Sequence, residues 1–307
     1  MVNVAVLGGT GHFGKTIVEV LNEDPNHSVI ILSRKQAATS DTGVPVVAVD
    51  YADVATLEKV FEQHKIHTVI SCIGTNDQAL ADAQNTAIRA AESSSTTRRF
   101  ISSNWATPFD PESVAASVRN QGPELLRQTS LEWTEIFNGY FLDYWGMPYI
   151  KTHMTPTTAA IDMVNKVAAI PGTGNELLSF SYTFDVAKVI ARMLELSTWE
   201  EETYIISENL SWNELLHLAE KARGSKFEVH YDSEEKLRSG QITELPTHKN
   251  EYQYFPKEEL ITLYASLGRL MAMGKFELPI EKALNRRFPD IKMLTVAEML
   301  DNTWKGK

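Results

Sequence analysis

The sequence predicts a doubly wound, parallel α/β sheet followed by a smaller α/β part. Three observations predict it. Short, almost uninterrupted apolar runs alternate with amphipathic stretches through the first half. A glycine-rich turn separates the first apolar run from the first amphipathic stretch. The second half loses this rhythm at Pro148, Pro156 and the turn Pro171-Gly172-Thr173-Gly174. Near-continuous apolar strands suit a parallel sheet buried on both faces, and strand–helix alternation requires right-handed crossovers.

Taken in order, Val2–Leu7 is apolar except for Asn3 and reads as the first strand. A helix follows, with Phe13, Ile17, Val20 and Leu21 on one face. Val29–Leu32, Val46–Val49, Thr68–Cys72 and Phe100–Ser103 read as further strands, and Trp133–Phe137 as a sixth. Ala52–Gln63 and Asp77–Glu92 are the helices between them. In the second half Asp185–Leu194 reads as a helix and Thr203–Ile206 as a returning strand. Ser211 and Glu214 form a capping box opening the helix Trp212–Ala222. Phe227–Tyr231 is a strand, and Glu258–Met273 a long helix with Leu260, Leu263, Tyr264, Leu267 and Leu270 on its apolar stripe. We expect residues 1–150, with 183–206 returning, to form one domain, and 151–182 with 207–307 a smaller one.

Bulk properties exclude several classes. With 29 basic against 40 acidic residues the net charge is −11, which argues against nucleic acid as a partner. No apolar run approaches the length of a membrane span, and no secretory signal precedes Val2, so a cytosolic protein is expected. Cys72 is the only cysteine, so no intrachain disulfide or thiolate cluster forms, and no metal site is expected.

The turn Gly8-Gly9-Thr10-Gly11-His12-Phe13-Gly14 spaces glycines as GxxGxxG between a strand and a helix. That is the context of a Rossmann-type dinucleotide site. Gly8 permits the tight turn, Gly11 lets backbone approach a pyrophosphate, and Gly14 lets the helix pack on the sheet. The helix N-terminus turns N–H groups and a positive dipole end toward phosphates. At the end of the second strand, where NAD sites carry an acid, stand Ser33, Arg34 and Lys35. Arg34 can pair with a 2′-phosphate, so NADP(H) is expected; the alternative is that Arg34 and Lys35 are ordinary surface charges. Asp50 is either a partner for the adenine amino group or the cap of Ala52–Gln63. Gly74, ending the fourth strand, suggests close backbone approach. Cys72 reads as a small core residue rather than a nucleophile.

These residues resemble the NmrA-like and isoflavone-reductase-like branch of the atypical short-chain dehydrogenase/reductases, fungal members above all. The resemblance spans nearly the whole chain. It rests on Gly8–Gly14, Ser33-Arg34, residues 99–104, Trp133-Thr134, residues 138–141, residues 169–174, and Tyr182–Asp185 with the helix after it. It implies a smaller domain closing over a small, often aromatic substrate. Thr10, Gly11, His12 and Phe13 would wrap the pyrophosphate, Arg34 hold the 2′-phosphate, and Ile73 and Gly74 flank the cofactor. Ser102, Ser103 and Asn104 would lie near the nicotinamide, which Asn138–Phe141 would also approach.

The catalytic set departs from the family. No tyrosine has a lysine four residues on, so the usual Tyr-x-x-x-Lys acid is missing. The lysine that isoflavone-reductase-like enzymes use falls near Arg119, with Gln121 next, and no lysine occurs between Ile66 and Ile150. Arg119 is a poor proton donor but can steady an oxyanion, or else is a surface-helix residue. Tyr140, Tyr144 and His153 are the other acid–base candidates, and histidine suits neutral pH. Trp105, Phe141, Tyr144 and Trp145 either wall a substrate site or form core, and Asn138 is a further substrate contact. The leading expectation is an NADPH-dependent reductase of a small aromatic or conjugated metabolite of secondary metabolism. The alternatives are an NADP(H)-sensing regulator that acts on a protein partner, or a cyclising or dehydrating enzyme that keeps its cofactor unchanged.

Overall fold

A computed structural model describes residues 1–35, 39–74, 77–108 and 114–307. The chain forms two compact units. The first is Met1–Phe137 with Val186–Ile205 and Arg286–Ile291; the second is Asn138–Asp185, Ile206–Asn285 and Lys292–Lys307. Residues 138–150, grouped with the sheet on sequence grounds, therefore lie in the second unit.

In chain order the first unit runs β1 (Val2–Leu7), α1 (His12–Glu23), β2 (His27–Ser33), β3 (Val46–Ala48), α2 (Val54–Gln63), β4 (Thr68–Ser71), α3 (Gln78–Ser93), β5 (Arg99–Ala106), α4 (Val114–Arg119), α5 (Gln121–Leu126) and β6 (Glu132–Phe137). The chain continues through β7 (Tyr140–Phe141), α6 (Asp143–Gly146), β8 (Ile161–Asp162), β9 (Val167–Pro171) and β10 (Leu177–Ser181) in the second unit. Helix α7 (Thr183–Met193) begins in the second unit and ends in the first, and β11 (Glu202–Tyr204) belongs to the first. The rest is β12 (Glu208–Ser211), α8 (Trp212–Arg223), β13 (Glu228–Asp232), α9 (Glu234–Arg238), α10 (His248–Glu251), α11 (Lys257–Ala272) and α12 (Val296–Trp304).

The first unit's sheet has seven strands in the order β11-β6-β5-β4-β1-β2-β3. All of its pairings are parallel. Val4, Ala5, Val6 and Leu7 of β1 are fully buried, as a strand covered on both faces must be. Helix α1 buries Phe13, Ile17 and Leu21 at four-residue spacing, together with Val18; Val20, expected on this face, is only half-buried. Helix α3 turns Ala87, Ala90 and Ala91 inward, so its axis can lie close to its neighbours. Strand order reverses between β4 and β1, where a doubly wound sheet opens a crevice at its carboxyl edge.

The second unit holds two three-stranded sheets, β12-β10-β7 and β13-β9-β8. Its core gathers Trp145, Phe180, Trp212 and Leu215 with Met299 and Leu300. Ser211 and Glu214 close the capping box of α8. Helix α11 is rotated from the expected stripe: Leu260, Ala265, Gly268 and Met271 are buried, while Leu263 is exposed.

Candidate functional site

The crevice at the strand-order reversal is a cleft of about 850 Å³ within the first unit. Its floor is the turn after β1. Gly8 has φ +71°, and a Cβ there would stand 2.8 Å from the Cys72 carbonyl oxygen. A Cβ on Gly14 would stand 2.3 Å from the Gly8 carbonyl oxygen, so only glycine lets α1 approach the turn this closely. The Gly11 N–H donates to the Gly8 carbonyl at 2.9 Å and closes the turn.

The helix ends around the cleft differ in chemistry. Asp53 caps α2 by accepting from the Thr56 N–H, and Asp77 caps α3 by accepting from the Leu80 N–H. Gly11 brings α1 no capping side chain, and no acid stands in the first turn of α1. An anion is therefore favoured at the α1 end, beside Thr10 and Gly11 in the cleft wall.

Ser33, Arg34 and Lys35 line the cleft at the end of β2. The Ser33 hydroxyl accepts from the Lys35 N–H at 3.2 Å, while Arg34 and Lys35 are exposed. Asp50 also lines the cleft, where its carboxylate accepts from the Ala52 N–H at 2.9 Å. The α2 cap is Asp53, which removes that role from Asp50. Ile73 and Gly74 complete the β4 side. Cys72 faces the cleft as well, and burial pushes its thiol far up, which keeps it protonated and unreactive.

Sequence reasoning missed several lining groups. Tyr51 donates its hydroxyl proton to the Leu32 carbonyl at 2.7 Å and fixes the β2 end; burial raises its pKa. Leu80, Asp82, Ala83 and Thr86 of α3 form the opposite wall. Their spacing along one helix face was the available signal.

Ser102, Ser103 and Asn104 stand together at the carboxyl end of β5, and all three are buried. Gln84, 1% exposed on α3, donates to the Ser102 hydroxyl at 3.3 Å and accepts from the Ser103 N–H at 2.9 Å. Asn104 donates to the Glu135 carboxylate at 3.1 Å. The Phe13 ring meets Trp105 edge-on at 4.9 Å, tying the α1 start to β5. His12 stands exposed beside it. Arg119 ends α4, and burial lowers its guanidinium pKa without removing its charge. The amide of Gln121 is exchanged with Gln78 at 3.0 and 3.1 Å.

The remaining predicted residues lie in the second unit. Trp145 is a correction: it is 1% exposed, packs on Phe180 and Trp212, and donates its indole N–H to the Ala159 carbonyl. It is core. Phe141 and Asn138 are likewise buried, and the Asn138 amide donates to the adjacent Gly139 carbonyl. Tyr140 and Tyr144 keep partial exposure and meet edge-on at 5.6 Å. Burial raises both hydroxyl pKa values. His153 lies 6.0 Å from the Phe184 ring.

Comparison with known proteins bears on the family and on the fold. The pattern of the NmrA-like family covers residues 2–298. The oxidoreductase BOA1 of Botryotinia fuckeliana is 30% identical over 300 residues, spanning 95% of this chain and 96% of its own length. The NADPH complex of leucoanthocyanidin reductase from Vitis vinifera superposes with a TM-score of 0.74 at 19% identity, over 97% of this chain and 98% of that one. The structure of AtPrR2 with NADP⁺ and (+)-pinoresinol superposes with a TM-score of 0.72 at 19% identity, over 98% of each chain. Among the described residues, no helix is long and apolar enough to cross a membrane.

Proposed function

The chain belongs to the NmrA-like family, and on that premise we propose that it is an NADPH-dependent reductase of a small aromatic or conjugated metabolite. One observation carries the cofactor choice: Arg34 and Lys35 stand exposed at the end of β2, where an NAD site needs an acid. Thr10 and Gly11, against the uncapped end of α1, would hold the pyrophosphate, and Arg34 the 2′-phosphate. Asp50 would take the adenine amino group, and Ile73 and Gly74 would flank the cofactor. Bound NADPH supplies a hydride. Tyr140, Tyr144 and His153 are the residues we assign to substrate contact.

Three particulars support the reading. The cleft volume falls in the range of small-molecule sites. A relative that spans nearly the whole chain is named an oxidoreductase. Two structures of like fold were solved with NADPH or NADP⁺, one of them also with the aromatic ligand pinoresinol. The test is calorimetric titration with NADPH, NADP⁺, NADH and NAD⁺, followed by a screen of aromatic and conjugated acceptors for NADPH oxidation. Failure to bind any dinucleotide overturns the reading.

The absence of a lysine near Arg119 and Gln121, where the resemblance calls for one, favours a second reading, a sensor that holds the dinucleotide without turning it over. Tight binding without oxidation by any acceptor, and a protein partner whose capture depends on the cofactor's redox state, would select it.

A further inference from the structure

The end of β2 far from the cleft gathers a second set of polar groups, all of them in the first unit. Asp24 caps the carboxyl end of α1, His27 opens β2, and Glu195 follows the end of α7. One carboxylate oxygen from each acid and one nitrogen of the His27 ring lie within 4.8 Å of one another. The ring's Nε2 stands 3.7 Å from Asp24 Oδ2. The ring is wholly buried, Asp24 is half-buried, and Glu195 is open to solvent.

Asn26 orients both acids. Its backbone N–H donates to Asp24 Oδ1 at 2.9 Å, and its side-chain amide donates to Glu195 Oε1 at 2.9 Å. Each acid keeps its second oxygen for another partner. The Ala191 carbonyl stands beside them, 3.1 Å from His27 Nε2. A continuing helix would give that carbonyl the Glu195 N–H, which donates instead to the Arg192 carbonyl at 3.2 Å.

This place favours a cation. Helices α1 and α7 both bring their carboxyl ends here, and such ends carry partial negative charge. Two carboxylates add to it. Arg192 approaches Glu195 Oε2 only to 3.8 Å, and it is also engaged by Asp290 and the Phe288 ring. Three atoms no more than 4.8 Å apart all lie within about 2.8 Å of one point, and zinc bonds to imidazole and carboxylate are about 2.0–2.2 Å long. Shifts of less than about 1 Å therefore bring all three onto one ion. The separations of 3.1 and 3.7 Å bracket about 3.4 Å, the edge of a tetrahedron with bonds of that length. His27 Nδ1 has no partner among the described residues, so nothing pins the ring proton to Nε2. With the proton on Nδ1, Nε2 is free to bind a metal.

We propose that Asp24, His27 and Glu195, with the Ala191 carbonyl, form a zinc-type divalent metal site that clasps the segment after α7 to the start of β2. The single cysteine rules out a thiolate cluster but not nitrogen and oxygen ligands. Imidazole beside carboxylates suits zinc and its neighbours in the first transition row, whereas magnesium takes oxygen alone. Tight sites supply an acceptor for the other imidazole N–H, and Nδ1 has none among the described residues, so micromolar rather than nanomolar affinity is expected. The seven residues of β2 separate the site from the cleft by about 20 Å, so its role is in stability and stands apart from the reductase reading.

The experiment is calorimetric titration of chelator-stripped protein with zinc chloride, in a buffer that does not bind zinc, paired with thermal unfolding. The wild type should bind one ion per chain, and zinc at tenfold excess over Kd should raise the melting temperature by about 2–4 °C. Magnesium chloride should do neither. Asp24→Asn and Glu195→Gln keep shape and reach solvent, so both should fold as the metal-free wild type does and spare the test from resting on buried His27. Both should bind zinc at least about tenfold more weakly and lose the rise in melting temperature. No saturable zinc binding by the wild type below about 1 mM overturns the proposal. Equal binding by the wild type and both variants overturns it too, since the ion then sits at other residues, and so does magnesium binding as tight as that of zinc.

Discussion

A Cβ placed on Gly14 would lie 2.3 Å from the carbonyl oxygen of Gly8, closer than any real contact of that kind. The same atom on Gly11 would lie 3.2 Å away. Gly14→Ala should therefore displace α1 from the turn, at a cost of about 1–3 kcal/mol in stability, and abolish measurable NADPH binding. Gly11→Ala should fold normally and weaken binding less. Urea unfolding and calorimetry on the two variants check this; equal behaviour would mean that helix approach does not govern the site.

On the proposed reading, Arg34 should separate the two dinucleotides. A charge-assisted hydrogen bond contributes about 1.5–3 kcal/mol, so Arg34→Ala should raise the Kd for NADPH by about tenfold to a hundredfold. The Kd for NADH should hardly move. A parallel loss for both cofactors would place Arg34 away from the 2′-phosphate.

Gln84 bridges the Ser102 hydroxyl and the Ser103 N–H from a position 1% exposed. Gln84→Ala strands that N–H in the interior, and an orphaned buried group costs about 1–3 kcal/mol. A matching fall in unfolding free energy is expected, with faster hydrogen exchange at Ser103. Gln84→Glu should restore the bond to the Ser103 N–H but lose the donor to Ser102.

Glu251 gives a pH signature to the second unit. Its carboxylate accepts from the Tyr264 hydroxyl at 2.6 Å, it is 2% exposed, and burial raises its pKa. A carboxyl raised in the folded state binds more protons there than in the unfolded chain. Its stabilising contribution is full below the unfolded pKa and is lost as pH rises through the folded value. Glu251→Gln keeps an acceptor for Tyr264 and cannot ionise. The wild type should therefore lose melting temperature relative to Glu251→Gln as pH rises across that window; a constant difference would sink the assignment.

Cys72 lines the cleft with a thiol that burial holds protonated. Alkylation by iodoacetamide at neutral pH should be far slower than for a free cysteine, and bound NADPH should slow it further. Rapid alkylation that NADPH does not affect would place the thiol outside the cofactor's reach.

The sheet was legible because its strands are buried on both faces, which leaves an unmistakable apolar signature in β1 and β4. The α8 capping box was legible because Ser211 and Glu214 act within one turn. What escaped depends on partners distant in sequence. His27 is buried at the start of β2, where its ring bonds the Ala191 carbonyl, 164 positions away. Trp145 looks like a pocket aromatic until Phe180 and Trp212 close over it. In the cleft, the glycines and Arg34 were readable from a local motif, whereas Tyr51 and the α3 wall needed the fold.

Strand β11 covers the outer edge of β6, yet residues 138–201 stand between them in the chain. A nascent polypeptide that has just emerged past Phe137 holds a sheet with one raw edge, its N–H and C=O groups open to any neighbouring strand. That edge stays open through the synthesis of everything up to Glu202. A fragment cut after β6 to isolate the nucleotide-binding half would inherit the same raw edge permanently. It is expected to pair with copies of itself, so soluble expression of this half requires the 186–205 segment to be joined back on.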